Sequence, residues 1–136
     1  MKTKIIRQEV IFNALPDEVY NLIMNEDLHS TFTGSETNIL NIEGKLFSAY
    51  DGYITGKNVE LIPGEKIVQD WRAEEDGWPE DHFSKVIFTF ARYGKNKTKL
   101  IFEQSGIPAH KAAAIDKGWH EYYWQPMKEL LKHMED

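Results

Sequence analysis

The sequence predicts an α+β fold in which a curved antiparallel sheet of six or seven strands wraps around a long C-terminal helix. Two observations lead to this class. Between about residues 36 and 105, apolar residues recur with a period of two, and Gly-containing turns separate the runs, as in a meander of strands. From residue 109 onward the period becomes that of a helix, and an apolar helical stripe needs a surface such as a sheet to cover it.

The N-terminal region predicts one strand followed by two short helices. Residues 4–12 alternate in the manner of a half-buried strand. Pro16 and the two acidic residues after it are typical of a first helical turn. Asn25 can cap a second short helix, which Gly34 would end. The predicted order is therefore strand, helix, helix and then the meander.

The meander contains several candidate strands, which cover residues 37–42, 45–50, 53–62, 65–73, 83–93 and 97–105. The turns between them carry Gly, Pro, Asn or Asp, as hairpins require. The last two runs alternate most clearly. Their predicted buried faces consist of Ser84, Val86, Phe88 and Phe90 in one run and of Thr98, Leu100, Phe102 and Gln104 in the other.

The C-terminal helix is predicted to start after Pro108 and to carry an apolar stripe that faces the sheet. Pro126 lacks a backbone N–H and its ring crowds the carbonyl of Tyr122, which predicts a kink at this point. Because the stripe stays in phase beyond Pro126, we expect the helix to continue. The residues of the stripe are Trp119, Tyr122, Tyr123, Pro126, Met127, Leu130, Leu131 and Met134.

Composition and charge exclude several function classes. The chain has 136 residues, which is the size of one domain spanning residues 1–136, and a formal net charge of −6. An acidic protein lacks the basic surface that sequence-independent binding of nucleic acid requires. With no cysteine there is no disulfide, thiol nucleophile or thiolate metal site. No run of apolar residues could span a membrane or act as a signal peptide, so we expect a soluble, cytoplasmic protein.

The sequence shows no catalytic or metal-binding motif. The five histidines are scattered and lack the spacing of a zinc site. The glycine-containing segment 52–58 is one residue too short for a phosphate-binding loop, and there is no nucleophile elbow. We therefore favour a non-enzymatic role and expect neither a metal nor another cofactor.

Beneath the predicted helix, polar side chains share strand faces with aromatic rings, which gives a candidate ligand site. One hypothesis is that these groups line a small-molecule pocket. The alternative is a closed core in which the polar groups bond one another or the backbone. The candidate residues are Gln69, Trp71, Ser84, Phe88, Phe90, Phe102, Gln104, Trp119, Tyr123 and Met127.

The acidic loop, residues 73–81 with the sequence AEEDGWPED, is a candidate contact site for another protein. Its tryptophan has two interpretations: it anchors a partner, as Trp does at many interfaces, or it folds back onto the sheet edge. The candidate contact residues are Glu74, Glu75, Asp76, Trp78, Glu80 and Asp81.

Several short motifs between about Ile6 and Leu131 resemble one known family. The most specific are Gly106-Ile107-Pro108, between the last strand and the helix, and the helical sequence GWHEYYW at residues 118–124. Further motifs are Phe32-Thr33, Gly44-Lys45-Leu46-Phe47, GKNVELIP at residues 56–63, KIVQDWR at residues 66–72 and Trp78-Pro79. On these residues the sequence resembles the C-terminal domain of the activator of heat-shock protein 90 ATPase, within the START-like, or helix-grip, superfamily.

The resemblance implies a helix-grip fold and a co-chaperone-like interaction domain whose partner is heat-shock protein 90. Superfamily relatives often bind a small apolar ligand or lipid between sheet and helix, and some are cyclases or hydrolases; these are the second and third hypotheses. The eukaryotic co-chaperones carry a separate N-terminal domain that contributes much of the docking. The present sequence starts at the first strand of the helix-grip domain, so we expect the scaffold of the family, and chaperone activation needs its own test.

Overall fold

The computed structural model of the protein describes residues 1–134. Its strands are β1 (Thr3–Phe12), β2 (Leu46–Ala49), β3 (Ile54–Ile62), β4 (Lys66–Ala73), β5 (Ser84–Arg92) and β6 (Thr98–Pro108). Two short helices, α1 (Pro16–Met24) and α2 (Glu26–Thr33), follow β1. After a 3₁₀ turn at Ala109–Lys111 comes the C-terminal helix, which consists of α3 (Ala112–Trp119), a π-helical turn (His120–Trp124) and α4 (Gln125–Met134).

The strands form one antiparallel six-stranded sheet in the order β1-β6-β5-β4-β3-β2. The meander predicted from the sequence is confirmed, and the first strand closes it by pairing along the last. The sheet curves around the C-terminal helix, so the predicted α+β architecture is also confirmed. No helix within residues 1–134 combines the length and the apolar character that crossing a bilayer demands.

The prediction of a strand at residues 37–42 is wrong. This segment contributes a single isolated bridge, between Asn38 and Ser48. The reason lies in Asn58 of β3, whose side-chain amide donates hydrogen bonds to the carbonyls of Leu40 (2.8 Å) and Ile42 (3.2 Å). A fully buried side chain therefore takes up carbonyls that a neighbouring strand would otherwise satisfy, and the segment stays irregular.

The predicted buried faces of β5 and β6 are confirmed, and aromatic rings of the C-terminal helix pack on them. Trp119 is the centre of this packing, with ring-centroid distances of 4.4 Å to Phe102, 5.9 Å to Phe88 and 5.4 Å to Trp124. Aromatic side chains bury large apolar areas, so this contact between helix and sheet is a main source of stability.

The helix continues past Pro126 as predicted, but the irregularity lies in the turn before it. In the π-helical turn, the amide of Gln125 donates to the carbonyl of His120, five residues earlier. The wider turn holds one extra residue and changes which side chains face the sheet. Tyr122, which the stripe placed inside, is therefore 56% exposed, and Trp124, which the stripe omitted, is 1% exposed.

Two glycines make a matched test of this packing. Gly56 in β3 lies opposite Trp71, and a Cβ on Gly56 would stand 1.9 Å from the carbonyl oxygen of Asp70 and 2.7 Å from the Phe47 ring. We expect Gly56→Ala to lower the free energy of unfolding by about 1–3 kcal/mol through this overlap. A Cβ on Gly118 of α3 would meet its nearest neighbour, the Tyr122 ring, at 3.7 Å.

Because that distance is an ordinary contact, Gly118→Ala should raise the free energy of unfolding by about 0.5–1 kcal/mol through helix propensity. Denaturant titration of both variants measures the difference. A Gly56→Ala protein as stable as the unchanged one would show that β3 and β4 do not approach as described.

Candidate functional site

The polar side chains predicted beneath the helix converge there and bond one another. The indole N–H of Trp119 donates to Gln104 Oε1 at 2.8 Å, and Gln104 Nε2 donates to Ser84 Oγ at 2.9 Å. Ser84 Oγ in turn donates to the carbonyl oxygen of Trp71 at 2.9 Å. Buried polar groups need such partners, and here protein atoms supply them.

The interior around this network is filled by side chains. Gln69 donates to Asn58 Oδ1 at 2.9 Å, and the ring centroids of Trp71 and Trp119 are 5.7 Å apart, which is contact distance. The structure thus places most of the predicted pocket residues in a packed core and not on the wall of an open space. These residues are Gln69, Ser84, Phe88, Phe90, Phe102, Gln104 and Met127, each of them at most 5% exposed.

A second glutamine–indole pair lies next to the first, and neither of its residues was among those predicted from the sequence. Trp124 Nε1 donates to Gln8 Oε1 at 2.6 Å. Gln8 Nε2 donates to the carbonyl and the carboxylate of Asp116, at 2.9 and 2.8 Å. Gln8 shares the inward face of β1 with the buried Ile6 and Val10, so its inward direction was readable from the strand pattern.

His29 of α2 is a second residue that the sequence did not single out. It is 3% exposed, and its Nδ1 lies 2.9 Å from the carbonyl oxygen of Ile23. A carbonyl only accepts, so Nδ1 carries the proton and Nε2 accepts from the Tyr123 hydroxyl at 3.0 Å. Burial lowers the pKa of His29 to about 4, so the ring is neutral at physiological pH.

An open cleft of about 640 Å³ lies beside the packed core. One wall is the β2–β3 turn, another is β4, and the third is formed by α3 and the π-helical turn. Of the predicted pocket residues, Trp71, Trp119 and Tyr123 reach its wall. Other residues that line the cleft were not predicted from the sequence to do so; they include Tyr50, Tyr53, Asp51, Ile115, Glu121 and Tyr122.

Tyr50 joins two walls of the cleft. Pro126 has no N–H to offer the carbonyl of Tyr122, and the Tyr50 hydroxyl donates to that carbonyl instead, at 2.5 Å. To do so Tyr50 adopts a left-handed backbone with φ of 50°, as does Asp51 at 57°, before Gly52. Burial raises the pKa of Tyr50 to about 12, so the hydroxyl keeps its proton for this bond.

The acidic loop is held by contacts that change the interpretation of Trp78. The side chain is 5% exposed, packs edge-on against Trp71 at 5.9 Å and donates to the carbonyl of His82 at 2.8 Å. Of the two interpretations of Trp78, the structure shows the second, in which the ring folds back onto the sheet, and the side chain is not an exposed anchor. His82, in turn, contacts the carbonyl of Gly106 at 2.6 Å, which ties the loop to β6.

The carboxylates of the acidic loop divide into two groups. Glu74 pairs with Arg72 at 2.8 Å, and Glu75 pairs with Lys111 of the 3₁₀ turn at 3.2 Å. The remaining three, Asp76, Glu80 and Asp81, are exposed and form no ion pair within residues 1–134. The loop therefore presents free negative charge on a fixed backbone.

The chain matches, over residues 13–132, the family described as Activator of Hsp90 ATPase homolog 1-like protein. It is 37% identical over 131 residues to the activator of 90 kDa heat shock protein ATPase homolog of Dictyostelium discoideum. That alignment covers 96% of this chain and 34% of the relative. It is 32% identical over 121 residues to the human activator of 90 kDa heat shock protein ATPase homolog 1. That alignment covers 88% of this chain and 35% of the human protein. The chain thus spans about a third of the length of these curated relatives.

Solved structures show the same fold. An HSP90 activator from Plasmodium falciparum superposes with a TM-score of 0.84 at 22% identity, covering 96% of both chains. The Aha1 dimer from Colwellia psychrerythraea superposes with a TM-score of 0.77 at 16% identity, covering 93% of this chain and 94% of the other. The extent of the family match and the identity to the curated relatives together establish that this chain belongs to the Activator of Hsp90 ATPase homolog 1-like family.

Proposed function

We propose that this domain is a non-enzymatic, co-chaperone-like module that binds a chaperone of the heat-shock protein 90 class. The observation that carries the proposal is the 37% identity, over 96% of this chain, to part of a protein named as an activator of that chaperone's ATPase. Because the relatives are about three times as long, ATPase activation by this chain is part of the proposal and needs its own measurement. A cytoplasmic location belongs to the same proposal.

The acidic loop is the contact surface that we favour. Two groups from the 3₁₀ turn fix its backbone, since Lys111 Nζ donates to the carbonyl of Asp76 at 2.7 Å and His110 Nε2 contacts the carbonyl of Gly77 at 3.0 Å. Such tethering lowers the entropy that is lost on binding. Exposed carboxylates on the loop would attract a basic surface of the partner and act mainly on the association rate.

The proposal is tested by titrating the chain with heat-shock protein 90 from the same organism, at about 25 and about 150 mM salt, with an ATPase assay in parallel. We expect binding that weakens as salt screens the carboxylates. Glu80→Gln combined with Asp81→Asn should reduce affinity at low salt by about fivefold. Asparagine tolerates the left-handed backbone of Asp81, whose φ is 55°, so the fold should be kept.

The matched control is Glu65→Gln combined with Glu129→Gln, which removes the same charge from two exposed positions elsewhere. This control should bind like the unchanged chain. Equal weakening by both double variants would assign the effect to net charge and not to the loop. No binding at low salt, together with an unchanged ATPase rate, would contradict the proposed function.

Binding of a small apolar ligand is the second candidate function, and the cleft favours it. The packed interior leaves the cleft as the place for such a ligand, because about 640 Å³ lies within the usual range of ligand sites and much of the wall is aromatic. Catalysis of a cyclase or hydrolase type has no comparable observation in its support.

A further inference from the structure

We propose that the cleft is a binding site for a small organic cation, in which a substituted ammonium group attached to an apolar or aromatic body sits against tyrosine and tryptophan rings. This inference concerns the chemistry of the cleft and does not depend on chaperone binding. It is based on the arrangement of the rings, on the charges around them and on the size of the space.

The rings line the cleft from both sides. Tyr50 of the β2–β3 turn meets Tyr122 and Tyr123 of the π-helical turn edge-on, with ring centroids 5.8 and 5.9 Å apart. Trp71 and Trp119 form the floor. Tyr and Trp faces attract cations through their quadrupoles, and more strongly where the cation leaves water. The exposed ring of Tyr122 is the one most accessible to a ligand.

Carboxylates surround the rings and outnumber the basic groups of the wall. Asp51, Glu75 and Glu121 line the cleft together with one ammonium group, that of Lys117, which pairs with Glu121 at 3.4 Å. Asp51 is exposed and accepts from the amide of Glu36 at 2.7 Å, and it forms no ion pair with any described residue.

Glu75 is a further carboxylate of the wall; it pairs with Lys111 at 3.2 Å and accepts a hydrogen bond from the Tyr53 hydroxyl. Burial is the main cause that raises the pKa of Tyr53, and the hydrogen bond to Glu75 adds to it. Glu75 and Glu121 are balanced by Lys111 and Lys117, so Asp51 is the carboxylate that leaves an unbalanced negative charge, and charge complementarity points to a cation. A wall of rings and a negative rim together match a ligand that carries both an apolar body and a positive charge.

The test uses three probes that share a benzyl ring and differ in charge: benzyltrimethylammonium, benzyl alcohol and phenylacetate. Amide chemical shifts of the ¹⁵N-labelled chain locate the site, and the combined tryptophan fluorescence gives an independent measure of binding. We expect benzyltrimethylammonium to bind with a Kd on the order of 1 mM, benzyl alcohol more weakly and phenylacetate least. Shifts should concentrate on residues of the β2–β3 turn and of the π-helical turn.

Two variants probe the ring and the charge. Asp51→Asn retains an oxygen for the Glu36 amide and a side chain that tolerates φ of 57°, and it should weaken the cation about fivefold without affecting benzyl alcohol. Tyr122→Leu should weaken the cation by a similar factor. The matched controls are Asp81→Asn, which also has a positive φ, and Tyr93→Leu, an exposed tyrosine outside the cleft; both should bind as the unchanged chain does.

Several results would overturn the proposal. Absence of any cation-dependent shift up to about 50 mM probe would do so, since that lies far above the expected Kd. Phenylacetate or benzyl alcohol binding as tightly as the cation would do so as well, because charge would then play no part. Failure of chaperone binding would leave these outcomes unaffected, so the two proposals fail separately.

Discussion

Replacing Trp119 by alanine is expected to lower the free energy of unfolding by about 3–5 kcal/mol, the largest effect of any single change considered for this chain. The substitution removes a ring that is 3% exposed and that contacts Phe102, Phe88 and Trp124. It also removes the donor to Gln104 Oε1, which leaves a fully buried acceptor without its partner. Chemical denaturation followed by circular dichroism measures the loss.

Tyr122→Ala is the matched control for this prediction, because it deletes a ring three residues later in the same helix. That ring is 56% exposed, so its removal should cost less than about 1 kcal/mol. If Trp119→Ala cost no more than the control, the packing of the C-terminal helix on the sheet would have to be revised.

The second large effect is a loss of stability in mild acid through His29. The pKa of His29 is about 4 in the folded chain, against 6.5 in its ordinary state. Between these values the unfolded chain binds the proton and the folded chain does not, so unfolding is favoured as pH falls. The stabilisation is complete above pH 6.5 and should decline by roughly 3 kcal/mol as pH approaches 4.

Unfolding free energies of the unchanged chain and of His29→Gln, measured between pH 7 and 4, test this prediction. The glutamine cannot titrate, so its curve should be flatter over that range, and His120→Gln makes the same change at an exposed position as the matched control. An NMR titration of the His29 ring gives a check that needs no variant. A ring that gains its proton near pH 6.5 in the folded chain would contradict the structural argument.

The architecture was predictable because it rests on local patterns. Alternation in β5 and β6 identified their buried faces, and Pro16 and Asn25 marked the helix starts at Pro16 and Glu26. The segment 37–42 was misassigned because its carbonyls bind the Asn58 side chain, a contact across more than a dozen residues that no local pattern contains.

The candidate site was less predictable, for reasons that are also physical. A period of 3.6 assumes α-helical geometry, so the π-helical turn reversed the roles of Tyr122 and Trp124. The buried environment of His29 depends on Tyr123, which lies 94 residues away in sequence. One wall of the cleft is a left-handed turn at Tyr50 that bonds the helix, and single-sequence patterns record neither the turn's φ angles nor its partner.

The indoles of this protein also have an optical consequence. Trp78 and Trp119 both contact Trp71, at 5.9 and 5.7 Å, and Trp124 contacts Trp119 at 5.4 Å, so all the tryptophans form one continuous chain of chromophores. At such separations excitation energy passes between the rings, and their transitions couple. Near-ultraviolet circular dichroism and emission therefore report the contact between helix and sheet as a single unit, and no individual tryptophan acts as a local probe of its own surroundings.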